Sequence, residues 1–242
     1  MHIRLLAINT TSIFCSVALS INNVIISEYL SKAPYKQPHL AIPIIDSALL
    51  EVGLSLTDIK YLSFSNNYGS YTGIRIGISL SQGLAIYTNL PLVNISTLEA
   101  VVQPWFSVKP KILLVIKANE EAYLTNYHKP NIGLITWFRR TNPNRLRLIF
   151  KKLSIDLEQY KEYVIVSNID LLFYLDDNLE LRTITIKKPI LLTAKSMLPI
   201  GIHKAIKGEM LSSEQVSPKY VFDIYRKEYC ISYILTSKNK GL

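Results

Sequence analysis

A short apolar run, Tyr61-Leu62-Ser63-Phe64, enters the segment Asn67-Tyr68-Gly69-Ser70-Tyr71-Thr72-Gly73-Ile74-Arg75-Ile76-Gly77, and a long one, Ile74 to Tyr87, leaves it. A strand, a glycine-bearing turn and a helix satisfy that order. Gly69 and Gly73 can take backbone angles closed to residues with side chains. Thr72 can cap the helix, and the first-turn amides then point at whatever occupies the loop. Such a loop is either an anion or partner site, or a turn whose glycines serve geometry alone. The residue types leave both readings open.

The helix launched by this turn carries too much apolar surface for a surface helix. Arg75, Ser79 and Gln82 stand at i, i+4 and i+7 and form one narrow polar stripe. Ile74, Ile78 and Ala85 line another side, and Ile76, Leu80, Leu84 and Tyr87 a third. A helix apolar on several sides is covered on more than one. One side suits a sheet; the other needs a second helix or another chain. Gly73, Gly77 and Gly83 would let that neighbour approach. A preceding helix, Pro38 to Val52 closed by Gly53, has the same excess, with Leu40, Ile42, Ile44, Ile45, Ala48, Leu49, Leu50 and Val52 on more than one face. Pro43 should kink it or mark its start. The two helices either bury each other or present a helical partner surface.

The chain opens with three strand patterns, Ile3 to Ile8, Phe14 to Leu19 and Val24 to Tyr29, joined by the polar turn Asn9-Thr10-Thr11-Ser12 and by Ile21-Asn22-Asn23. This is an antiparallel meander. The side chains of Asn9 to Ser12 can hold a phosphate or simply satisfy the turn. A strand at Pro91 to Ile95 and a short helix opened by Ser96, Thr97 and Glu99 end a first lobe near Pro104. A second meander follows at Lys111 to Ile116, Ala122 to Tyr127 and Ile132 to Phe138, then a short strand at Tyr163 to Val166 and another at Ile190 to Leu192. A helix at Ala194 to Ile206 contains Pro199, and Ser217 to Val221 is extended. Asn142-Pro143-Asn144 reads as a loop and Tyr229 to Gly241 as a loose tail. Two lobes that each open on a meander indicate a duplicated α/β architecture, with residues 1–104 as the first lobe and 105–242 as the second.

Bulk properties narrow the function classes. The 27 Lys+Arg against 18 Asp+Glu, net +9, permit an acidic partner such as RNA, although no aromatic-basic RNA motif is present. Cys15 and Cys230 form no CxxC or Cys/His ligand set, and the four histidines His2, His39, His128 and His203 form no HxxxH pair. No metal site is expected. No nucleophile elbow links Ser, His and Asp, so a peptidase is unsupported. No run of about 18 apolar residues suggests a membrane span, and Met1-His2-Ile3-Arg4 lacks signal-peptide anatomy. A reduced, cytoplasmic protein is expected.

Leu6-Ala7-Ile8-Asn9-Thr10-Thr11 with Cys15-Ser16-Val17-Ala18-Leu19 resembles the opening LAIDTST…CSVAL of the TsaB (YeaZ) family. Tyr68 to Gly77 resembles its GPGSFTGLRIG signature. Gly53 to Ile59, Gly83-Leu84-Ala85, Pro91-Leu92-Val93 and Ser96 to Ala100 continue the likeness, which covers the first lobe nearly throughout. In the second lobe it is thin, resting on Glu121-Ala122-Tyr123 and Pro218-Lys219-Tyr220.

The resemblance implies a two-lobed actin-like/Hsp70-like fold, an RNase H-like unit duplicated, with mixed sheets and flanking helices. It also implies a non-catalytic scaffold that activates TsaD in threonylcarbamoylation of the tRNA adenosine next to the anticodon. TsaE would join the assembly, tRNA would be reached through the complex, and ATP or ADP with magnesium would belong to the assembled complex rather than to this subunit. A homodimer through the same helices is the expected state without the partner. Leu40, Ile44, Leu49, Ile74, Ile78, Gln82 and Tyr87 are the expected partner-binding residues, with Ile78→Glu as a probe. Asn9, Thr10, Thr11, Gly69, Ser70, Thr72, Gly73 and Arg75 would form a vestigial nucleotide loop. No catalytic residue is assigned. The sequence departs from the family pattern in several places. Asn9 replaces its strand-end aspartate, a better magnesium ligand than an amide. Asn67-Tyr68 replaces Gly-Pro, Lys117-Ala118-Asn119 replaces DAR, and Gln37 stands at a common histidine position. The alternative from another class is an ATP-using kinase or transferase of the same fold.

Overall fold

The computed structural model describes residues 3–32, 37–107, 111–118, 121–128, 135–141, 163–167, 183–185 and 192–220. The loop expected at 142–144, the tail at 229–241, Cys230, His2 and most of the strand expected at 190–192 lie outside the described residues.

Strands β1 (Arg4–Asn9), β2 (Phe14–Ile21) and β3 (Val24–Lys32) form the antiparallel meander. Helix α1 (Gln37–Leu50) then leads to β4 (Tyr61–Asn66), and α2 (Tyr71–Thr88) leads to β5 (Leu92–Ser96). β4 pairs parallel to β1, and β5 parallel to β4, giving the order β3-β2-β1-β4-β5. The short α3 (Thr97–Val102) follows, capped by the Ser96 hydroxyl, which accepts from the Glu99 amide. In the second unit β6 (Lys111–Ala118), β7 (Glu121–His128) and β8 (Ile135–Thr141) form another meander, β9 (Tyr163–Ser167) pairs parallel to β6, and β10 (Thr183–Thr185) parallel to β9. The order β8-β7-β6-β9-β10 repeats the connectivity of the first sheet. This is the duplicated α/β arrangement of the actin-like class.

The boundaries differ from the sequence reading in one respect. One unit comprises Met1–Pro104 with Leu191–Val221, the other Trp105–Ile190 with Phe222–Leu242. The chain leaves the first unit, builds the second, and returns to the first with α4 (Ala194–Ile206). The assignment of everything after residue 104 to the second lobe is therefore corrected for residues 192–220. The cause lies in the first sheet, which has two buried faces, each needing a cover of helices.

Alternation along the strands defines those faces. Leu6, Ile8, Val17, Leu19, Leu62 and Phe64 meet Ile45, Ala48, Leu49, Ile74, Ile78 and Ala85 of α1 and α2 in the main core. Each such large side chain, taken fully out of water, contributes about 1.5–3 kcal/mol. The opposite face has Leu5 and Asn9 among small residues: Ala7, Ser16, Ala18, Ser20 and Ser63, all buried. That low floor admits a helix at short range. Gly201 of α4 lies so near that a Cβ there would stand 3.1 and 3.3 Å from the Leu5 methyls and 3.5 Å from Ser63 Cβ. Ser16 Oγ accepts from the Ala194 amide at 2.9 Å and fixes the start of the helix.

Two local expectations are revised. The α2 N-cap is Ser70, whose hydroxyl accepts from the Gly73 amide at 3.2 Å, because Thr72 already lies in the first turn and is exposed. Pro43 sits inside α1 and does not mark its start. Gly53, at φ +65°, follows the end of α1, where the Leu54 amide donates to the Leu49 carbonyl at 3.0 Å.

α3 and α4 are joined by an ion pair. Lys204 Nζ lies 3.3 Å from Glu99 Oε2 and also donates to the Asn94 carbonyl at 3.2 Å. Burial raises the Glu99 pKa, with Lys204 and the Ser96 amide opposing it and Glu209 adding to it. A carboxyl raised on folding contributes stability below its unfolded pKa and loses that contribution as pH rises through its folded pKa. Urea midpoints of the wild-type chain should therefore include a component that falls as pH rises above the ordinary carboxylate range. Glu99→Gln should lack it, and an unchanged pH profile in that variant would refute the assignment. For Gly201, substitution by Leu should lower the unfolding free energy by about 1–3 kcal/mol through overpacking. Gly201→Ala should be near neutral, because about 1 kcal/mol of helix propensity offsets the tight contact. Chemical denaturation distinguishes the two.

Candidate functional site

The β1–β2 turn and the start of α2 are locked to each other. Asn9 is fully buried at the end of β1. Its Oδ1 accepts from the Thr11 amide at 3.1 Å, the Thr11 hydroxyl at 2.8 Å and the Ser65 hydroxyl at 2.7 Å. Its Nδ2 donates to the Leu192 carbonyl at 2.8 Å. The Thr10 hydroxyl donates to the Gly73 carbonyl at 2.7 Å, and the Ser70 amide to the Thr11 carbonyl at 2.8 Å. Gly69 has φ +124°, which favours glycine. A Cβ at Gly73 would stand 2.2 Å from the Thr10 carbonyl oxygen, and one at Gly77 2.6 Å from its hydroxyl. These two glycines exist for the turn–helix contact.

The expected loop residues thus separate into two groups. Asn9, Thr10, Thr11, Gly69, Ser70 and Gly73 come together, whereas Thr72 and Arg75 lie on the exposed side of α2. The gathered residues fit neither a phosphate nor a magnesium ion. The turn and the helix start bond to each other, and the Asn9 oxygen already serves three donors. Among the described residues no three His, Cys, Asp or Glu side chains cluster to hold a metal. Burial pushes the Cys15 thiol up to about 11 and the Tyr68 phenol up to about 12, so neither ionises near neutrality.

The expected partner residues also divide. Leu49, Ile74 and Ile78 belong to the core, Ile78 being 3% exposed, and are corrected from surface to interior. Ile78→Glu would place a charge in that core and so cannot serve as an interface probe. Leu40 and Ile44 are partly buried and pack with Leu80 around Cys15 and Ala41. Gln82 is engaged within the protein, its Nε2 donating to the carbonyls of Ser213 at 2.9 Å and Val216 at 3.2 Å. Tyr87, 79% exposed, is free to meet a partner, as is Ile86 at 73%. Gly83 faces open space, with nothing within 4 Å of an added Cβ. Thr72, Arg75, Ile76, Ser79 and Leu80 line a groove along the same helix.

The sequence reading missed a strap. Residues 211–220 run along β5 and α2. Leu211 and Leu92 exchange backbone hydrogen bonds at 2.8 and 2.9 Å. Val216 enters the core. Asn66 donates to the Ser217 carbonyl at 3.1 Å and accepts from the Lys219 amide at 3.0 Å, and Asn67 forms a parallel bridge with Tyr220. The polar stripe Arg75-Ser79-Gln82 was the available signal. Two of its three members hold this strap.

Residues 20–129 match the family model "TsaD: tRNA N6-adenosine threonylcarbamoyltransferase". The chain is 34% identical over 134 residues to the tRNA threonylcarbamoyladenosine biosynthesis protein TsaB of Escherichia coli, covering 54% of this chain and 58% of that relative. It is 29% identical over 212 residues to the protein of the same name from Buchnera aphidicola subsp. Schizaphis graminum, covering 86% and 97%. The chain is similar to proteins of the TsaB (YeaZ) family. The fold of the solved YeaZ from Pseudomonas aeruginosa agrees, with TM-score 0.74 at 21% identity over 90% of this chain and 99% of that one. The match to the E. coli relative covers less than two thirds of its length, whereas the Buchnera relative is covered nearly end to end.

The hydrogen-bond knot around Asn9 can be tested by substitution. Asn9→Asp replaces the donor facing the Leu192 carbonyl with a carboxylate oxygen, leaving a buried charge beside an acceptor. The variant should lose about 1–3 kcal/mol or more, measured by urea unfolding, and magnesium should not restore it. A magnesium-dependent recovery would show that the turn can open into a metal site.

Proposed function

We propose that the chain is a non-catalytic scaffold subunit that binds and activates a TsaD-type transferase in threonylcarbamoylation of the tRNA adenosine next to the anticodon. The observation that carries this is the outer stripe of α2. Ser79 and Gly83 leave room for a close neighbour, and the exposed Ile86 and Tyr87 flank them. Small residues between large apolar ones suit a second helix at short range. The match of residues 20–129 to the TsaD model supports a homologous partner, whose equivalent lobe would bring an equivalent helix to the same seam. The relatives named as tRNA threonylcarbamoyladenosine biosynthesis proteins supply the process.

In this reading TsaE joins the assembly, nucleotide and magnesium act in the complex, and tRNA is reached through it, in the cytoplasm. Without its partner the chain pairs with its own copy over the same stripe. The ATP-using alternative of the same fold is disfavoured by the Asn9 knot, which spends on the fold the atoms a nucleotide-bound metal would need.

Co-elution with the cognate transferase subunit at micromolar concentration tests the proposal, followed by a threonylcarbamoylation assay with and without this chain. Gly83→Trp should weaken association at least about tenfold while the fold persists, because its side chain enters solvent in the free chain and a helix-forming residue replaces glycine. Failure of the wild-type pair to associate would overturn the scaffold reading. Unimpaired binding by Gly83→Trp would move the interface elsewhere.

A further inference from the structure

Arg75 is exposed, yet it is held in place. Its guanidinium lies over the Tyr71 ring, 4.2 Å from the centroid. Nε donates to the Tyr220 hydroxyl at 2.9 Å, and Nη2 donates to the Tyr71 hydroxyl. The two tyrosine rings stack at 4.7 Å and 16°. Most surface arginines surrender rotamer freedom when they bind. Here the strap residue Tyr220 and the helix residue Tyr71 have already imposed that order. Among the described residues no carboxylate forms an ion pair with Arg75. Among the described residues the hydrogen bonds of Arg75 use Nε and Nη2, so the Nη1 edge of the planar fork remains for an acceptor.

This fixed cation stands at the amino-terminal end of the apolar groove formed with Ile76 and Leu80. It is the one charged residue of α2, which contains no Asp or Glu. Resting on the scaffold reading, the geometry points to Arg75 as the anchor for an Asp or Glu of a partner helix laid along this groove. A second copy of α2 offers no such carboxylate. Two α2 helices brought together place two guanidinium groups on one apolar seam with no acid from either. Arg75 therefore selects the transferase subunit over self-association. RNA phosphate is the weaker match. The groove runs on into apolar residues, and neither α2 nor α1 carries a lysine or another arginine, whereas phosphate backbones are held by several cations.

The test compares the wild-type chain with Arg75→Met, Arg75→Lys and Tyr220→Phe. Affinity for the cognate transferase subunit is measured by calorimetry at low and high ionic strength, and self-association by sedimentation equilibrium. Circular dichroism melting confirms that each variant is folded. Arg75→Met should bind the transferase subunit about ten- to a hundredfold more weakly, with a flatter salt dependence, and should self-associate more tightly. Arg75→Lys should recover little of the lost affinity, because a point charge does not reproduce the fork. Tyr220→Phe, which frees Nε, should weaken binding by a smaller factor. The inference is overturned if Arg75→Met binds within about twofold of wild type. It is equally overturned if hetero- and self-association fall together, or if only tRNA binding by the free chain declines. Binding lost in Gly83→Trp but retained in Arg75→Met would sink the anchor and leave the scaffold reading standing.

Discussion

Everything in the first unit is referred to the contact between the β1–β2 turn and the first turn of α2. Two bonds make it: the Thr10 hydroxyl to the Gly73 carbonyl and the Ser70 amide to the Thr11 carbonyl. They hold the helix so near the turn that no side chain fits at Gly73. Asn9 ties the same point to β4 through Ser65 and to the approach to α4 through the Leu192 carbonyl. One amide side chain thus joins three stretches of chain that are far apart in sequence. Neutral hydrogen bonds of this kind contribute about 1 kcal/mol each when made. Leaving a buried member unpaired costs more, so the knot is more consequential when broken than its bonds suggest.

This interlock decides which way α2 faces. Gly73 and Gly77 turn inward to the β1–β2 turn, and Ile74, Ile78 and Ala85 turn to the sheet. Gln82 and Arg75 turn to the strap. What remains outward is Thr72, Ser79, Gly83, Ile86 and Tyr87, with the exposed Arg75 guanidinium at the edge where the strap passes. Helix periodicity made the excess of apolar faces legible in the sequence, because 3.6-residue spacing is local. It did not say which apolar face the sheet would take. Ile78 and Tyr87 were therefore grouped together, though one is core and the other lies in solvent. The three glycines looked equivalent for the same reason, yet two meet Thr10 and the third meets nothing.

Meanders, crossover helices and the repeated strand order were legible because each follows from short-range alternation and turn chemistry. The return of residues 192–220 to the first unit was not. Nothing in the pattern of Ala194 to Ile206 names the sheet it will cover. The clue lay in the sheet itself: Ala7, Ser16, Ala18, Ser20 and Ser63 are too small to close a face without a helix pressed against them. Small residues on alternate positions of adjacent strands, and a glycine in a distant helix, are complementary only once the pairing of β1 with β2 and β4 is known. The strap was illegible on the same ground. Its anchors, Asn66, Arg75 and Gln82, reach across more than 130 residues to their partners.

The polar residues at the β1–β2 turn are engaged within the fold. A strand end that binds a nucleotide-bound metal needs free oxygen lone pairs and a turn that stands away from its neighbours. Here the strand end is an amide whose oxygen and nitrogen both face protein groups, and the turn is closed against a helix. A carboxylate could accept the same three hydrogen bonds at one oxygen, but it could not donate to the Leu192 carbonyl. Asparagine at position 9 is thus matched to the approach of α4. The closed turn in turn gives α2 a fixed base from which to present its outer stripe. Rigidity at the turn and exposure along the helix are two results of one set of contacts.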